Sequence, residues 1–151
     1  MFIPTGRAIN PVTGKNWEGT GVEPDEKVQA DDAYNIAYRE ALTKIGSSGN
    51  DPQAKADAAW ARVALEARIQ PLPTLSPEAM GHLAGTYGTR RITAESGYMY
   101  LQMEDHPRHR LLQLTADTFA MEGVEAPRLV FGSTGLTEVY PDGRKEELAR
   151  Q

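Results

Sequence analysis

The stretch TYGTRRITAESGYMYLQME, residues 86–104, decides the fold because its side chains alternate with a period of two. Such alternation is typical of β-strands that bury one face. Near its middle, Glu95-Ser96-Gly97 has the composition of a tight hairpin turn. We therefore predict two antiparallel strands, residues 86–94 and 98–104, joined by this turn.

The sequence that follows this hairpin is also predicted to form β-strands. Turn-forming residues separate four further short segments that are predicted as strands: 110–114, 119–122, 128–131 and 136–140. Regular strand spacing with tight turns favours a small antiparallel meander, either a curved sheet or a partial barrel. Its core face is predicted from the aromatic residues Tyr87, Tyr98, Tyr100, Phe119 and Phe131.

The sequence that precedes the hairpin is predicted to be helical. Asp31 and Asp32 are candidate N-caps of a first helix that ends at Gly46, and Asp51-Pro52 is a strong opening for a second helix that runs to about Ile69. A short helical turn is expected after a third capping residue, Ser76.

These elements predict an α+β fold with an N-terminal strand and loop, two helices, and then the β-meander. We predict three parts: residues 1–45, a helical linker over 46–75, and a β domain over 76–151. The boundary follows the stiff spacer of residues 71–73, Pro-Leu-Pro.

Composition excludes several classes of function. The net charge is −5 and the sequence pI is about 5.2, which argues against nucleic-acid binding because phosphate recognition needs clustered cations. The densest basic spots, Arg90-Arg91 and residues 106–110, are interpreted as solvated. The sequence has no cysteine, so thiolate chemistry is excluded, and no apolar run reaches the ~20 residues of a membrane span.

The first 25 residues carry the most specific motifs. Residues 3–11 read IPTGRAINP and residues 16–25 read NWEGTGVEPD. This order of a P-x-G-R loop, a W-E-G turn and a following helix resembles the end of the catalytic domain in tail-specific (C-terminal-processing) serine peptidases. The similarity is strongest to the branch with interphotoreceptor retinoid-binding protein-like and tricorn-type proteins. It covers roughly residues 2–45, and a looser resemblance to a β-rich domain that follows the peptidase domain covers 76–148.

This resemblance implies that residues 1–45 are the C-terminal end of a peptidase-like domain. In the family, the nucleophilic serine and its base precede this tract, so the chain alone is expected to be inactive. Glu18 matches an acidic residue that orients the catalytic machinery, and Arg7 is the candidate substrate-binding residue. The resemblance also implies a peptide or protein substrate, no cofactor, and a periplasmic or extracytoplasmic location.

Alternatives remain open at each site. Glu18 is equally well interpreted as a surface carboxylate beside Trp17, and Arg7 as a structural salt-bridge partner. His106 and His109 have the spacing of metal ligands, but they straddle a predicted proline-containing turn with no third ligand nearby, so no metal site is predicted.

A second class of function is a non-catalytic module in which the meander binds a peptide or a small ligand, or serves in assembly. If the chain is a fragment, residues 1–28 would pair with strands that it lacks. We therefore also predict a possible homodimer in which the N-terminal arm of each protomer contacts the other.

Overall fold

The computed structural model describes residue 6 and residues 9–16 and 23–151. The chain divides into two compact units, Met1–Ala33 and Tyr34–Gln151. The predicted N-terminal strand lies outside the described residues, as do residues 1–5, 7–8 and 17–22 of the arm that was predicted to mediate dimerisation. The predicted division at 45 and 75 stays a prediction.

In the first unit, the described residues 9–16 form a turn organised by Asn10. The Asn10 side-chain oxygen accepts a hydrogen bond from the backbone N–H of Val12 at 2.8 Å. The backbone carbonyl of Asn10 accepts a second one from the Gly14 N–H, also at 2.8 Å. Gly14 has a φ of +65°, a conformation that suits glycine. The asparagine therefore fixes the chain reversal locally, as in other Asx turns.

Two helices follow along the chain, α1 at Ala30–Ser48 and α2 at Pro52–Ile69. The Asp51 side chain accepts a hydrogen bond from the Gln53 N–H at 2.9 Å, so the predicted cap of α2 is confirmed. Beyond Tyr34, α1 packs against α2 through a small apolar core. Its buried members are Leu42, Ala58 and Leu65.

A third helix, α3 at Pro77–Leu83, precedes the sheet. The Ser76 hydroxyl oxygen caps it by accepting from the Ala79 N–H at 3.1 Å, as predicted. Met80 on this helix is buried in the core of the sheet domain. The short helix therefore contributes to the core as well as connecting the linker to the sheet.

The remaining described residues form an antiparallel meander in which every strand pairs with its neighbours in sequence. The strands are β1 Gly85–Tyr87, β2 Arg90–Glu95, β3 Tyr98–Met103, β4 His109–Gln113, β5 Thr118–Met121, β6 Arg128–Phe131, β7 Gly135–Val139 and β8 Lys145–Ala149. The predicted α+β fold with a β-meander is confirmed. Within the described residues it consists of three helices followed by an eight-stranded, nearly closed barrel.

The end of β8 meets β1 and nearly closes the barrel. Tyr87 and Arg150 form an antiparallel backbone β-bridge. The Gly88 N–H donates to the Ala149 carbonyl at 3.3 Å, and the Gln151 N–H donates to the Thr86 carbonyl at 2.9 Å. We call this junction of residues 86–88 with 149–151 the closing seam. Because it pairs the first strand with the last, it turns an open sheet into a barrel.

Two strand predictions were incomplete. Residues 86–94 form two strands, because the backbone reverses at Gly88, where φ is +56°. The last strand, β8, was not predicted. The turn at Ser96-Gly97 is confirmed, with positive φ at both residues and direct pairing of Glu95 with Tyr98.

The barrel interior is filled by apolar side chains. Phe119 and Tyr87 both contact Phe131 edge-to-face, at ring-centroid distances of 5.4 and 5.7 Å. These three aromatic residues are buried, as predicted. Tyr98 and Tyr100 are not in this core, because the pleat of β3 turns them to the outer face while Met99 and Leu101 point inward.

Helix α2 packs on the outside of the barrel. The Trp60 indole N–H donates to the Glu125 carbonyl at 2.8 Å, and the Arg128 guanidinium lies 3.7 Å from the centre of the Trp60 ring. Burial lowers the pKa of Arg128 below its ordinary value.

In the part of the protein that the structure describes, none of the helices has the length and apolarity to cross a membrane.

Candidate binding site between β3 and β4

Both residues predicted for the peptidase-like site, Glu18 and Arg7, lie outside the described residues. The His106 ring nitrogen lies 2.8 Å from the Glu104 carbonyl oxygen, which accounts for its orientation. Within residues 6, 9–16 and 23–151, no three potential metal ligands come together. The described residues therefore direct attention to two other places, a polar pair inside the barrel and a break in its wall.

The polar pair joins Arg90 of β2 to Glu138 of β7. The Arg90 Nε and Nη2 atoms donate to the two Glu138 carboxylate oxygens at 2.7 and 3.2 Å. The Glu138 side chain is only 2% exposed, and it also accepts a hydrogen bond from the Tyr140 hydroxyl at 3.2 Å. Arg90 was predicted to be solvated, and this prediction was wrong because its side chain turns into the barrel to neutralise a buried carboxylate.

The pKa values of Arg90 and Tyr140 reflect this buried environment. The hydrogen bond to Glu138 raises the pKa of Arg90 above its ordinary value. Burial, followed by the charge of Glu138, raises the pKa of Tyr140. Both carboxylate oxygens are engaged, so the geometry is that of a structural pair that links two strands across the interior. It does not present a free acid or base.

The break in the wall lies between β3 and β4. Strand β3 pairs with β2 over its whole length, but its pairing with β4 is limited to Tyr100 with Arg110 and Leu101 with His109. Beyond Tyr100 and Arg110, β3 and β4 form no further register pairs, and β4 continues its pairing with β5. We call this opening, bounded by residues 97–99 and 111–113, the β3–β4 gap.

Backbone polar groups of β4 are directed into the gap. The Arg110 carbonyl accepts from the Glu122 N–H at 2.9 Å, and the Leu114 N–H donates to the Thr118 carbonyl at 2.8 Å, so these residues direct their backbone groups to β5. Leu111 and Gln113 are out of phase with them and direct theirs to the β3 side. Gln113 has no residue opposite it on β3.

A cavity of about 120 Å³ lies at the gap and is partly covered by the linker of residues 71–75. Its apolar lining comes from β3, β4, β5, the linker and α3. The main contributors are Leu72, Leu75, Met80, Met99, Leu111 and Phe119. Within the described residues, the linker makes no backbone hydrogen bond to either strand. It lines the opening and does not pair with the end of β4 at Gln113.

The rim of the gap carries one charged side chain, Arg110. Its guanidinium lies 4.4 Å from the centre of the Tyr98 ring and contacts Glu122 at 2.8 Å, with 42% of the side chain exposed. Arg108 has a very similar environment outside the gap, 3.6 Å from the centre of the Tyr100 ring and paired with Glu95. The two arginines form a matched pair, of which only Arg110 borders the cavity.

Sequence reasoning missed both the polar pair and the gap. A signal for the pair was present, because alternation in 136–140 places Glu138 on the same face as Leu136, and a carboxylate facing a core requires a cationic partner. The gap has no local signal in the sequence.

Comparison with known proteins gives no match among family profiles, curated proteins or solved structures.

Proposed function

We propose that this protein is the C-terminal part of a serine-type peptidase and that its barrel is a non-catalytic accessory domain. The proposal depends on one observation, the ordered series of motifs in residues 3–25. The boundary between the two compact units, residues 1–33 and 34–151, also lies close to the end of this tract. In this proposal, the activity of the complete enzyme is hydrolysis of peptide bonds.

Two residues of the tract have proposed roles. Glu18 orients the serine and base of the catalytic region, as the acidic residue of tricorn-type proteins does, and Arg7 contacts the substrate. An orienting carboxylate acts on rate through the geometry and charge of the base. Arg7 acts through the bidentate hydrogen bonds that a guanidinium makes to a carboxylate.

The barrel supports an accessory role by its construction. Its interior is packed with apolar side chains, and the buried carboxylate Glu138 is committed to Arg90 and Tyr140. Such a domain stabilises or positions its neighbour without supplying reacting groups. Its own function then depends on its outer surface and on the β3–β4 gap.

The proposal is tested first on the purified protein. It is incubated with denatured casein and with a fluorophosphonate that labels active serines, and neither cleavage nor labelling is expected. Cleavage that the fluorophosphonate abolishes would show a complete active site within these 151 residues and refute the proposal.

The second test uses a longer protein in which this sequence follows a catalytic region. There, E18Q is expected to lower kcat/KM at least about tenfold, because loss of an orienting carboxylate impairs the base. E23Q is the control, since Glu23 is a surface residue that pairs with Lys27. Equal activity of E18Q, E23Q and the unaltered protein would refute the role of Glu18.

A second candidate function is a non-catalytic module that binds a peptide or a small ligand. The β3–β4 gap favours it, because the gap combines strand edges with an apolar cavity. Hydrogen exchange by mass spectrometry tests it on the purified protein with added unfolded polypeptide. Protection of residues 97–113 is expected, and unchanged exchange throughout the barrel would contradict the module.

A further inference from the structure

We infer that the β3–β4 gap binds an extended peptide segment that inserts one aliphatic side chain into the cavity and places an acidic residue next to it against Arg110. The inference rests on the second candidate function, the binding module, and names its site and its partner. Three independent features of the gap define this partner: its backbone groups, its size and its charge.

The backbone groups select an extended segment. Gln113 directs its backbone N–H and carbonyl toward the β3 side and has no partner strand there. A peptide in β conformation supplies the missing donors and acceptors by strand addition, which is a common mode of peptide recognition. The linker of residues 71–75 does not compete for these hydrogen bonds, since its contacts with the gap are made by side chains.

The size of the cavity selects a single side chain. At about 120 Å³ it is well below the ~300–1,000 Å³ of typical small-molecule pockets. Its lining is mainly apolar, and Leu111 and Met99 border the opening from opposite strands. An aliphatic side chain from a peptide suits this volume and chemistry, whereas a cofactor-sized ligand does not.

The charge at the rim selects the neighbouring residue. Arg110 is the charged residue of the lining, and 42% of its side chain remains exposed beside Glu122. Side chains alternate along a strand, so the residue next to the inserted one points outward, toward the face that carries Arg110 and Tyr98. A carboxylate there completes a charge-assisted hydrogen bond with the guanidinium.

The experiment uses the full-length protein and defined peptides in isothermal titration calorimetry. The probe is acetyl-Thr-Val-Leu-Glu-Val-Thr-amide, and the charge control has lysine in place of glutamate. A third peptide carries an N-methyl group on the leucine and cannot complete a β ladder. We expect saturable binding of the acidic probe, about tenfold weaker binding of the lysine peptide, and loss of binding of the N-methylated one.

The two arginines provide matched variants. R110A is expected to remove the preference for the acidic probe, and R108A is expected to keep it, although both variants lose an arginine–tyrosine contact and an ion pair. Circular dichroism confirms that each variant is folded. Hydrogen exchange gives an independent measurement, in which the Gln113 amide becomes protected when the acidic probe binds.

Two results would overturn the inference. One is the absence of saturable binding by the acidic probe at about 1 mM, a concentration that detects weak complexes. The other is a charge preference that R108A removes as fully as R110A does. Neither result bears on the proposed peptidase assignment, which is refuted by serine-reagent-sensitive cleavage and not by peptide binding.

Discussion

The barrel wall has two weak places, and they are sealed by different means. At the closing seam, backbone hydrogen bonds link residues 86–88 with 149–151, and Arg150 adds side-chain hydrogen bonds to the carbonyls of His82 and Ala84. At the β3–β4 gap, backbone pairing stops after Tyr100 and Arg110, and side chains of the linker cover the opening. One place is closed by hydrogen bonds and the other by apolar contact.

This difference shows how a meander distributes its stability. A seam that joins the first strand to the last must be specified by directional bonds, since no turn holds the two strands together. The buried pair of Arg90 and Glu138 reinforces it, because β2 and β7 lie on either side of β1 and β8. The gap lacks such reinforcement, and apolar cover can be exchanged more easily than a fixed hydrogen-bond network.

The largest expected effect comes from breaking the pair that spans the seam. E138A should lower the free energy of unfolding by about 3–5 kcal/mol, because it leaves the Arg90 guanidinium without its buried partner. Urea denaturation followed by circular dichroism measures the change. E122A is the control, since Glu122 forms an exposed pair with Arg110 that is worth at most about 1 kcal/mol.

A compensated variant keeps this prediction testable if E138A does not fold. The double variant R90M/E138L replaces the ion pair with apolar side chains and should be more stable than E138A, since a buried ion pair is often replaceable by well-packed apolar residues. A double variant as unstable as E138A would show that the unpaired Arg90 charge is not the cause of the loss.

The second largest effect tests the cover of the gap. M80A should cost about 3 kcal/mol, because Met80 is buried and its truncation enlarges the cavity. L72A removes a side chain from the same cavity, but Leu72 is 43% exposed, so its cost should stay within about 0.5 kcal/mol. Thermal unfolding compares the two. Equal losses would mean that the linker contributes as much as α3 to sealing the opening.

A smaller effect is expected from Arg150, which joins the seam to the end of α3. R150A removes hydrogen bonds of 2.9 and 2.7 Å to two carbonyl groups and should cost about 1–2 kcal/mol at this exposed position. R144A is matched, because Arg144 lies over the Tyr140 ring without contacting such carbonyls. If both variants are equally stable, the backbone bonds alone close the seam.

The smallest effect is a pH dependence at the seam. Burial raises the pKa of Tyr87, and burial followed by the charge of Glu138 raises that of Tyr140. A raised pKa in the folded state means that the stabilisation is complete below the unfolded value of about 10 and is lost as the pH rises through the folded value. Urea midpoints at pH 8 and pH 10.5 measure the loss.

The variant Y140F is expected to show a smaller alkaline loss than the unaltered protein, since it has no phenol to ionise beside Glu138. Tyr98 lies on the outer face and is 46% exposed, so Y98F serves as the control and should not change the loss. An alkaline loss that is identical in all three proteins would assign it to other groups.

Local chemistry explains which elements the sequence predicted. Asp51 and Ser76 cap their helices through their own side chains, and Ser96-Gly97 adopts the positive φ values of a tight turn, so each could be read from a few adjacent residues. The start of α1 was less well predicted. That helix begins at Ala30, and the two aspartates occupy its first turn instead of a cap position.

The missed features depend on contacts between distant residues. Strand β8 has the sequence Lys-Glu-Glu-Leu-Ala, which has little β propensity, and it forms through its register with β7 and the packing of Leu148. Arg90 and Glu138 are 48 residues apart. The gap exists because β3 begins only at Tyr98 whereas β4 runs on to Gln113, and this offset depends on the register between the two strands. The predicted roles of Glu18 and Arg7 stay predictions.

The contact between α2 and the barrel has a practical consequence. Trp60 is hydrogen-bonded to Glu125 and stacked on Arg128, so its indole senses whether the helix stays on the barrel wall. Its intrinsic fluorescence, isolated with W17F, would follow helix detachment as a spectral shift. Far-ultraviolet signals would follow the strands, and a difference between the two transitions would reveal an intermediate with the helix released and the barrel intact.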